Sequence, residues 1–330
     1  MRRSYAFGLT TLLLLSPLYC GKGRTRVVPK LDSTEMPLGL EPGIPKVESP
    51  VFGAIPNTAA TPATSSTHVA SLATPASSSI RSMTAPVQGR RGVPNWSLNA
   101  EFAEDAFTFA RVRYESYGRR WHSEGDWATD WPDSDLNFSF RLQQLTALKV
   151  NPNGCVVDLG SPQMFEYPFL YLIEPGQMLI EKQQALALQR YCLNGGFLMV
   201  DDFWGSDEWD HFNGILQQVF PDRNAIEVPL SHEIFHIVYD LKEKPQIPSL
   251  HSAQRGRSQG ITWERGNDTR TPHYRAIYDD QDRIMVFICH NTDLGDGWER
   301  EGEDEWYFRE FSEKKAYPLG INIVTYALTH

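Results

Sequence analysis

Phe169-Leu170-Tyr171-Leu172-Ile173-Glu174-Pro175-Gly176 runs into Gln177–Leu193 and then into Asn194-Gly195-Gly196-Phe197-Leu198-Met199-Val200. The first five residues form a continuous apolar run of the kind that suits a strand buried on both faces. Gln177–Leu193 contains no Gly or Pro, and Ala185, Leu186, Leu188 and Leu193 give a helix there an apolar side. Asn194-Gly195-Gly196 supplies a helix end, because glycine accepts left-handed geometry. Phe197–Val200 then returns as a second buried strand. A strand, a helix and a strand in this order form a crossover and imply a parallel pair.

Working outward, the same alternation continues. Phe107–Tyr114 alternates apolar and polar or small residues, which predicts a half-exposed strand. Leu136–Leu148 places Phe140, Leu142 and Leu145 at helical spacing, and Cys155–Leu159 reads as a buried strand. A helix is expected over Asp207–Val219, with Ser206 as N-cap and Trp209, Phe212, Ile215 and Leu216 on one side. Ala225–Leu230, Tyr274–Tyr278 and Ile284–Cys289 are further strand candidates, and Leu319–Leu328 is a terminal helix. This order predicts one three-layer α/β domain over residues 96–330, with a mostly parallel, flavodoxin-like sheet.

The N-terminal part is different in kind. Of 31 Lys and Arg and 41 Asp and Glu, residues 1–95 hold ten and four, and all nine tryptophans lie beyond residue 95. Arg2 and Arg3 precede an apolar run, Ala6–Leu15, so residues 1–20 read as an export signal. That run is too short for a comfortable membrane span, which needs roughly 20 residues. Cys20 is a weak lipid-attachment candidate, since Leu18-Tyr19 is a poor lipoprotein context. Residues 21–95 read as an Ala/Thr/Ser/Pro-rich tether without enough apolar surface to offset the entropy of ordering. The expected location is the periplasm or cell envelope, with membrane contact only through the signal or a lipid at Cys20. The net charge of -10 argues against a general nucleic-acid surface. Cys155, Cys192 and Cys289 read as buried free thiols.

Four polar segments carry the chemistry. His232-Glu233-Ile234-Phe235-His236 is a literal HExxH, which on a helix would place two histidines for zinc and a glutamate to activate water. Pro229 and the β-branched, aromatic run after His232 count against that helix. Asp130-Trp131-Pro132-Asp133-Ser134-Asp135-Leu136-Asn137 is rich in oxygen donors. Asp133, Asp135 and Asn137 match the first ligand positions of a calcium loop, but Phe138 and Gln144 stand where its glycine and closing glutamate belong. Asp201-Asp202-Phe203-Trp204-Gly205 follows an expected parallel strand, where open α/β sheets place ligands. His290-Asn291-Thr292-Asp293 holds a similar position after Cys289. The convergence of these strand ends on one crevice is the main site expectation. Its candidate residues are Asp130, Asp133, Asp135, Asp201, Asp202, Trp204, His290, Asn291 and Asp293.

Thr129–Asp135, Asn194–Gly205, His290–Asp293 and Leu319–Asn322 resemble the blocks of the domain of unknown function family 4159, over about residues 106–329. This bacterial family is similar in fold to class I glutamine amidotransferase-like and ThuA-like proteins, which implies a flavodoxin-like sheet but no established reaction. Amidotransferases place a cysteine at a sharp strand-to-helix elbow. The matching turn here offers Asp201-Asp202 and no thiol, so glutaminase chemistry is not carried over. The family reads His-x-Ile-Phe-His around His232–His236, which makes Glu233 incidental.

Two function classes follow. One is a non-catalytic, exported module that binds a cell-envelope protein or a saccharide, with Trp127, Trp131, Trp204 and Trp298 as stacking candidates if they escape the core. The other is a metal-assisted hydrolase whose carboxylates and His290 hold a divalent cation. The first is the favoured reading.

Overall fold

The computed structural model describes residues 92–99, 105–117 and 124–330. The signal, Cys20 and the tether through residue 91 lie outside the described residues. Strand β1 (Ala110–Arg113) is followed by β2 (Glu115–Ser116), a 3-10 turn over Asp126–Ala128 and helix α1 (Asp133–Leu145). Next come β3 (Cys155–Asp158), β4 (Phe169–Ile173), β5 (Met178–Leu179), α2 (Lys182–Leu193), β6 (Phe197–Asp201) and α3 (Gly205–Val219). The second half contains β7 (Ile226–Glu227), α4 (Leu250–Gly256), β8 (His273–Tyr278), β9 (Ile284–His290), α5 (Leu294–Glu299) and α6 (Glu305–Tyr307). A π-helical segment, Phe308–Ala316, then leads into α7 (Tyr317–Thr329).

Seven strands form one sheet in the order β3-β1-β4-β6-β9-β8-β7. The first five are parallel, with Leu170 opposite Leu198 and Leu198 opposite Val286. In chain order those five read 2-1-3-4-5, the flavodoxin-like arrangement. β8 and β7 add an antiparallel edge. The chain reverses its direction of travel between β1 and β4, and such switch points leave a crevice outside the strand carboxyl ends.

The buried strands feed two cores, which is why the runs read as continuously apolar. Phe169, Tyr171 and Ile173 join Phe138, Trp298 and the α7 residues on one face. Leu170 and Leu172 join Leu188, Phe212 and Leu216 of α2 and α3 on the other. Each fully buried side chain of this size contributes about 1.5–3 kcal/mol. Cys155, Cys192 and Cys289 are buried free thiols. No helix of the described residues is long and apolar enough to cross a membrane.

Several boundaries differ from the expectations. The helix expected from Gln177 starts at Lys182, because Met178-Leu179 pairs with β2 and Glu181 and Gln184 exchange capping bonds. β1 is not half-exposed, since Arg111 on its polar phase is 0% exposed. Helix α1 runs from Asp133 to Leu145 and buries Phe138 and Leu142, whereas Phe140 is only partly covered. Ser206 is not the N-cap of α3, which begins at Gly205; Asp268 accepts from the Ser206 amide and hydroxyl instead. The strand expected over Ala225–Leu230 shrinks to Ile226–Glu227.

Candidate functional site

The carboxyl ends of the central strands carry a set of backbone conformations that side chains normally avoid. Asp130 (φ 62°), Glu174 (φ 53°), Asp202 (φ 54°) and Asn291 (φ 60°) are all left-handed. Glu174 and Asp202 immediately follow β4 and β6, and Asn291 follows β9. Such residues each cost on the order of 1–3 kcal/mol and persist where surrounding contacts over-determine them. Asp202 therefore occupies the sharp strand-to-helix elbow between β6 and α3, with Trp204 Nε1 donating to its Oδ1 at 2.9 Å.

Asp201 forms the floor. Its Oδ2 accepts from the Tyr171 hydroxyl and from the Leu294 and Gly295 amides, each at 3.0 Å, which ties β6 to the first turn of α5. Its Oδ1 is buried and accepts no hydrogen bond. Burial raises the carboxyl to about 7 against the lowering effect of those donors.

Above this floor, Asp130, Asp202 and Asp293 bring carboxylate oxygens within 4.8 Å of one another. A second set, Asp130, Asp296 and Glu299, meets the same distance and shares Asp130. Burial pushes Asp130, Asp202 and Asp293 well above the usual carboxylate range, followed by repulsion from Asp296 and Glu299 at Asp130, from Glu174 and Asp130 at Asp202, and from Asp202 and Asp130 at Asp293. Asp130 is 7% exposed, and its Oδ2 is buried with no hydrogen-bond partner. Asp293 caps α5, its Oδ1 accepting from the Asp296 amide at 2.7 Å. Glu174, raised to about 8 by burial and by Glu208, acts most strongly of the neighbouring acids on Asp202.

One residue positions the Asp130 loop. The Arg111 guanidinium donates to the Trp127 and Thr129 carbonyls at 3.0 and 2.9 Å and pairs with both oxygens of Asp135. Its face lies 4.9 Å from the Tyr171 ring centroid. Asp135 is thus committed to Arg111 and is corrected from cleft ligand to structural anchor. Asp133 opens α1 and repels Glu299 but belongs to neither carboxylate set.

The histidine candidates lie elsewhere. His290 Nδ1 accepts from Arg275 at 3.1 Å, which leaves Nε2 to donate to the Gly205 carbonyl at 3.0 Å. Its ring packs beside Phe203 and Trp209, so both nitrogens serve the fold and neither is left for a cation. Asn291 Oδ1 accepts from the Gly205 amide at 2.8 Å and likewise anchors the elbow. His232-Glu233-Ile234-Phe235-His236 forms a 3-10 turn over Glu233–Phe235 rather than an α-helix, so the zinc geometry is lost. His236 meets Asp240 and the Leu230 carbonyl, His232 caps the Ile234 amide, and Glu233 pairs with His330. Trp127, Trp204 and Trp298 are buried: Trp127 and Trp204 donate from their indoles to the Glu124 carbonyl and to Asp202, whereas Trp298 is packed among Phe109, Phe138 and Tyr171 with its Nε1 unpartnered; Trp131 is half-buried.

Three acids escaped the sequence reading: Asp296, Glu299 and Glu174. Asp296 and Glu299 continue from the candidate Asp293 at every third residue, a spacing that shares one face of a helix, but the interrupting glycines made the segment read as a turn. Glu174 stood in a strand-terminating Glu-Pro-Gly and carried no signal beyond that. The model of a family described as Domain of unknown function (DUF4159) matches residues 108–328. No curated protein matches the chain.

Proposed function

The chain belongs to the DUF4159 family, and on that premise we propose that its α/β domain is an exported ligand-binding module of the cell envelope. Its pocket, at the strand carboxyl ends, works with a hard divalent cation. The observation that carries this reading is the meeting of Asp130, Asp202 and Asp293, from three separate chain segments, within 4.8 Å. Three carboxylates at that separation repel strongly unless they take up protons or a cation. Oxygens on opposite sides of a calcium ion at 2.3–2.6 Å would stand roughly 5 Å apart, so oxygens lying within 4.8 Å of one another can share one such ion. An all-carboxylate donor set favours calcium, magnesium or manganese over zinc. The ligand itself, a saccharide or a partner chain, would complete the coordination from the solvent side. The export part of the reading rests on the apolar, Arg-led N-terminus.

A second reading, metal-assisted hydrolysis, draws on Glu174. A carboxyl raised to about 8 beside Asp202 is protonated at neutral pH and could deliver that proton to a leaving group.

The test uses full-length protein without a polyhistidine tag, stripped with chelator and titrated with calcium, magnesium and manganese by calorimetry. One equivalent is expected to bind, with a rise in melting temperature that is lost in Asp130→Asn and Asp202→Asn. No heat of binding and no thermal response to chelation would overturn the cation reading. Metal-dependent cleavage of phosphate esters or glycosides, abolished in Glu174→Gln, would favour the hydrolase.

A further inference from the structure

The two carboxylate sets share Asp130, yet they are not equivalent. Asp296 and Glu299 already hold a cation of the chain's own. Arg300 Nε donates to Asp296 Oδ1 at 3.2 Å, and Nη2 lies 2.7 Å from Glu299 Oε2, with Nη1 at 3.3 Å from Glu303. Asp296 is further held by the Leu250 amide on its Oδ2. By contrast, none of the ion pairs among the described residues reaches Asp130, Asp202 or Asp293. The Asp130 Oδ2 atom is buried, accepts nothing and belongs to the residue common to both sets.

We propose that Arg300 stands in the second position of a two-cation carboxylate centre and holds the site to one metal ion. The proposal rests on the cation reading above and adds its stoichiometry. Asp130 sits where a carboxylate bridging two ions would sit, and two-metal sites place their ions about 3.5–4 Å apart. A guanidinium supplies one positive charge, so Arg300 partly offsets Asp296, to which it donates a hydrogen bond, and Glu299, with which it forms an ion pair, without closing the first set. The Arg300 side chain is 26% exposed and reaches its position from the end of α5, so its removal opens a path to solvent rather than a sealed void. With one ion and one guanidinium, the natural protein lacks the paired-metal clamp that stabilises both the attacking and leaving oxygens of a phosphoester. That absence favours ligand binding over two-metal hydrolysis.

The experiment counts manganese in the full chain by calorimetry and electron paramagnetic resonance. The natural protein is expected to bind one ion, giving an isolated spectrum. Arg300→Ala is expected to bind two, with exchange coupling between them, and Arg300→Lys one. Arg300→Gln, which keeps hydrogen-bonding capacity without charge, provides the same readout should the alanine variant fail to fold, as judged by circular dichroism. Glu299→Gln combined with Arg300→Gln is expected to return the count to one. A natural protein that binds no manganese overturns the cation reading itself. A count of one in both natural and charge-removed proteins overturns the role of Arg300 and leaves the single-cation site standing. A count of two in the natural protein also overturns it.

Discussion

Asp135 grips Arg111 with both carboxylate oxygens, Oδ1 at 2.6 Å from Nη2 and Oδ2 at 3.0 Å from Nε, and both side chains are buried. The pair is a joint between sheet and site, because the same guanidinium holds the two carbonyls that lead into Asp130. Asp135→Ala leaves a buried charge uncompensated, an effect on the order of 3–5 kcal/mol. Urea denaturation is expected to show that loss. Cation affinity should fall as well, since the Trp127–Asp130 loop loses its anchor. A variant as stable as the natural protein would show that the pair does not hold this joint.

Gly295 provides a sharper probe of the pocket. A Cβ on this residue would lie 2.4 Å from Asp130 Oδ2 and 3.0 Å from the Tyr171 hydroxyl. The backbone of Gly295 has no left-handed torsion, and alanine is the better helix former, so α5 itself accepts the change. Gly295→Ala is therefore expected to displace Asp130 and lower divalent-cation affinity at least about tenfold while circular dichroism stays unchanged. Unaltered affinity would remove Asp130 from the proposed ligand set.

His290 sets part of the acid response. Burial, reinforced by Arg275 and His273, lowers its value from 6.5 to about 4, so the ring is neutral in the fold where the unfolded chain would protonate it. Between those two values the unfolded state binds more protons. This contribution to stability is complete above pH 6.5 and is lost as pH falls towards 4. Its size is on the order of 3 kcal/mol. The pocket carboxylates act in the opposite sense, because their raised values favour the folded state on acidification. The check is thus a difference: denaturation of the natural protein and of His290→Gln at pH 7 and pH 4.5. The gap between them is expected to narrow or invert at the lower pH, and a constant gap would contradict the neutral, Arg275-bonded ring.

The legibility of the molecule follows from the range of the interactions involved. The crossover from β4 through α2 to β6 was readable because apolar runs and a glycine helix end are local signals. The start of α2 was not, since Met178-Leu179 is captured by β2, which lies far away in sequence. Arg111 read as solvent-facing because alternation reports only which side a residue points to. Whether that side is water or a buried carboxylate depends on where α1 packs. The candidates divided for the same reason. Asp130, Asp202 and Asp293 have oxygens that meet in space, while Asp135, His290 and Asn291 are consumed by Arg111, Arg275 and Gly205. His232 and His236 match a motif whose geometry exists only on an α-helix, and the 3-10 turn there does not supply it.

By itself, the sequence determined the alternating α/β order, the apolar strands of the sheet, the glycine turns that end them and the acidic residues placed after them. Hydrophobic periodicity and backbone preference act between near neighbours and leave their mark on every short segment. Only the tertiary structure decided which of those acids repel one another across a shared pocket and which are already satisfied by a guanidinium, an amide or a helix end. Electrostatic coupling depends on distance through space and on exclusion of water, and neither is set until the strand order has brought Asp130, Asp202 and Asp293 to the same rim.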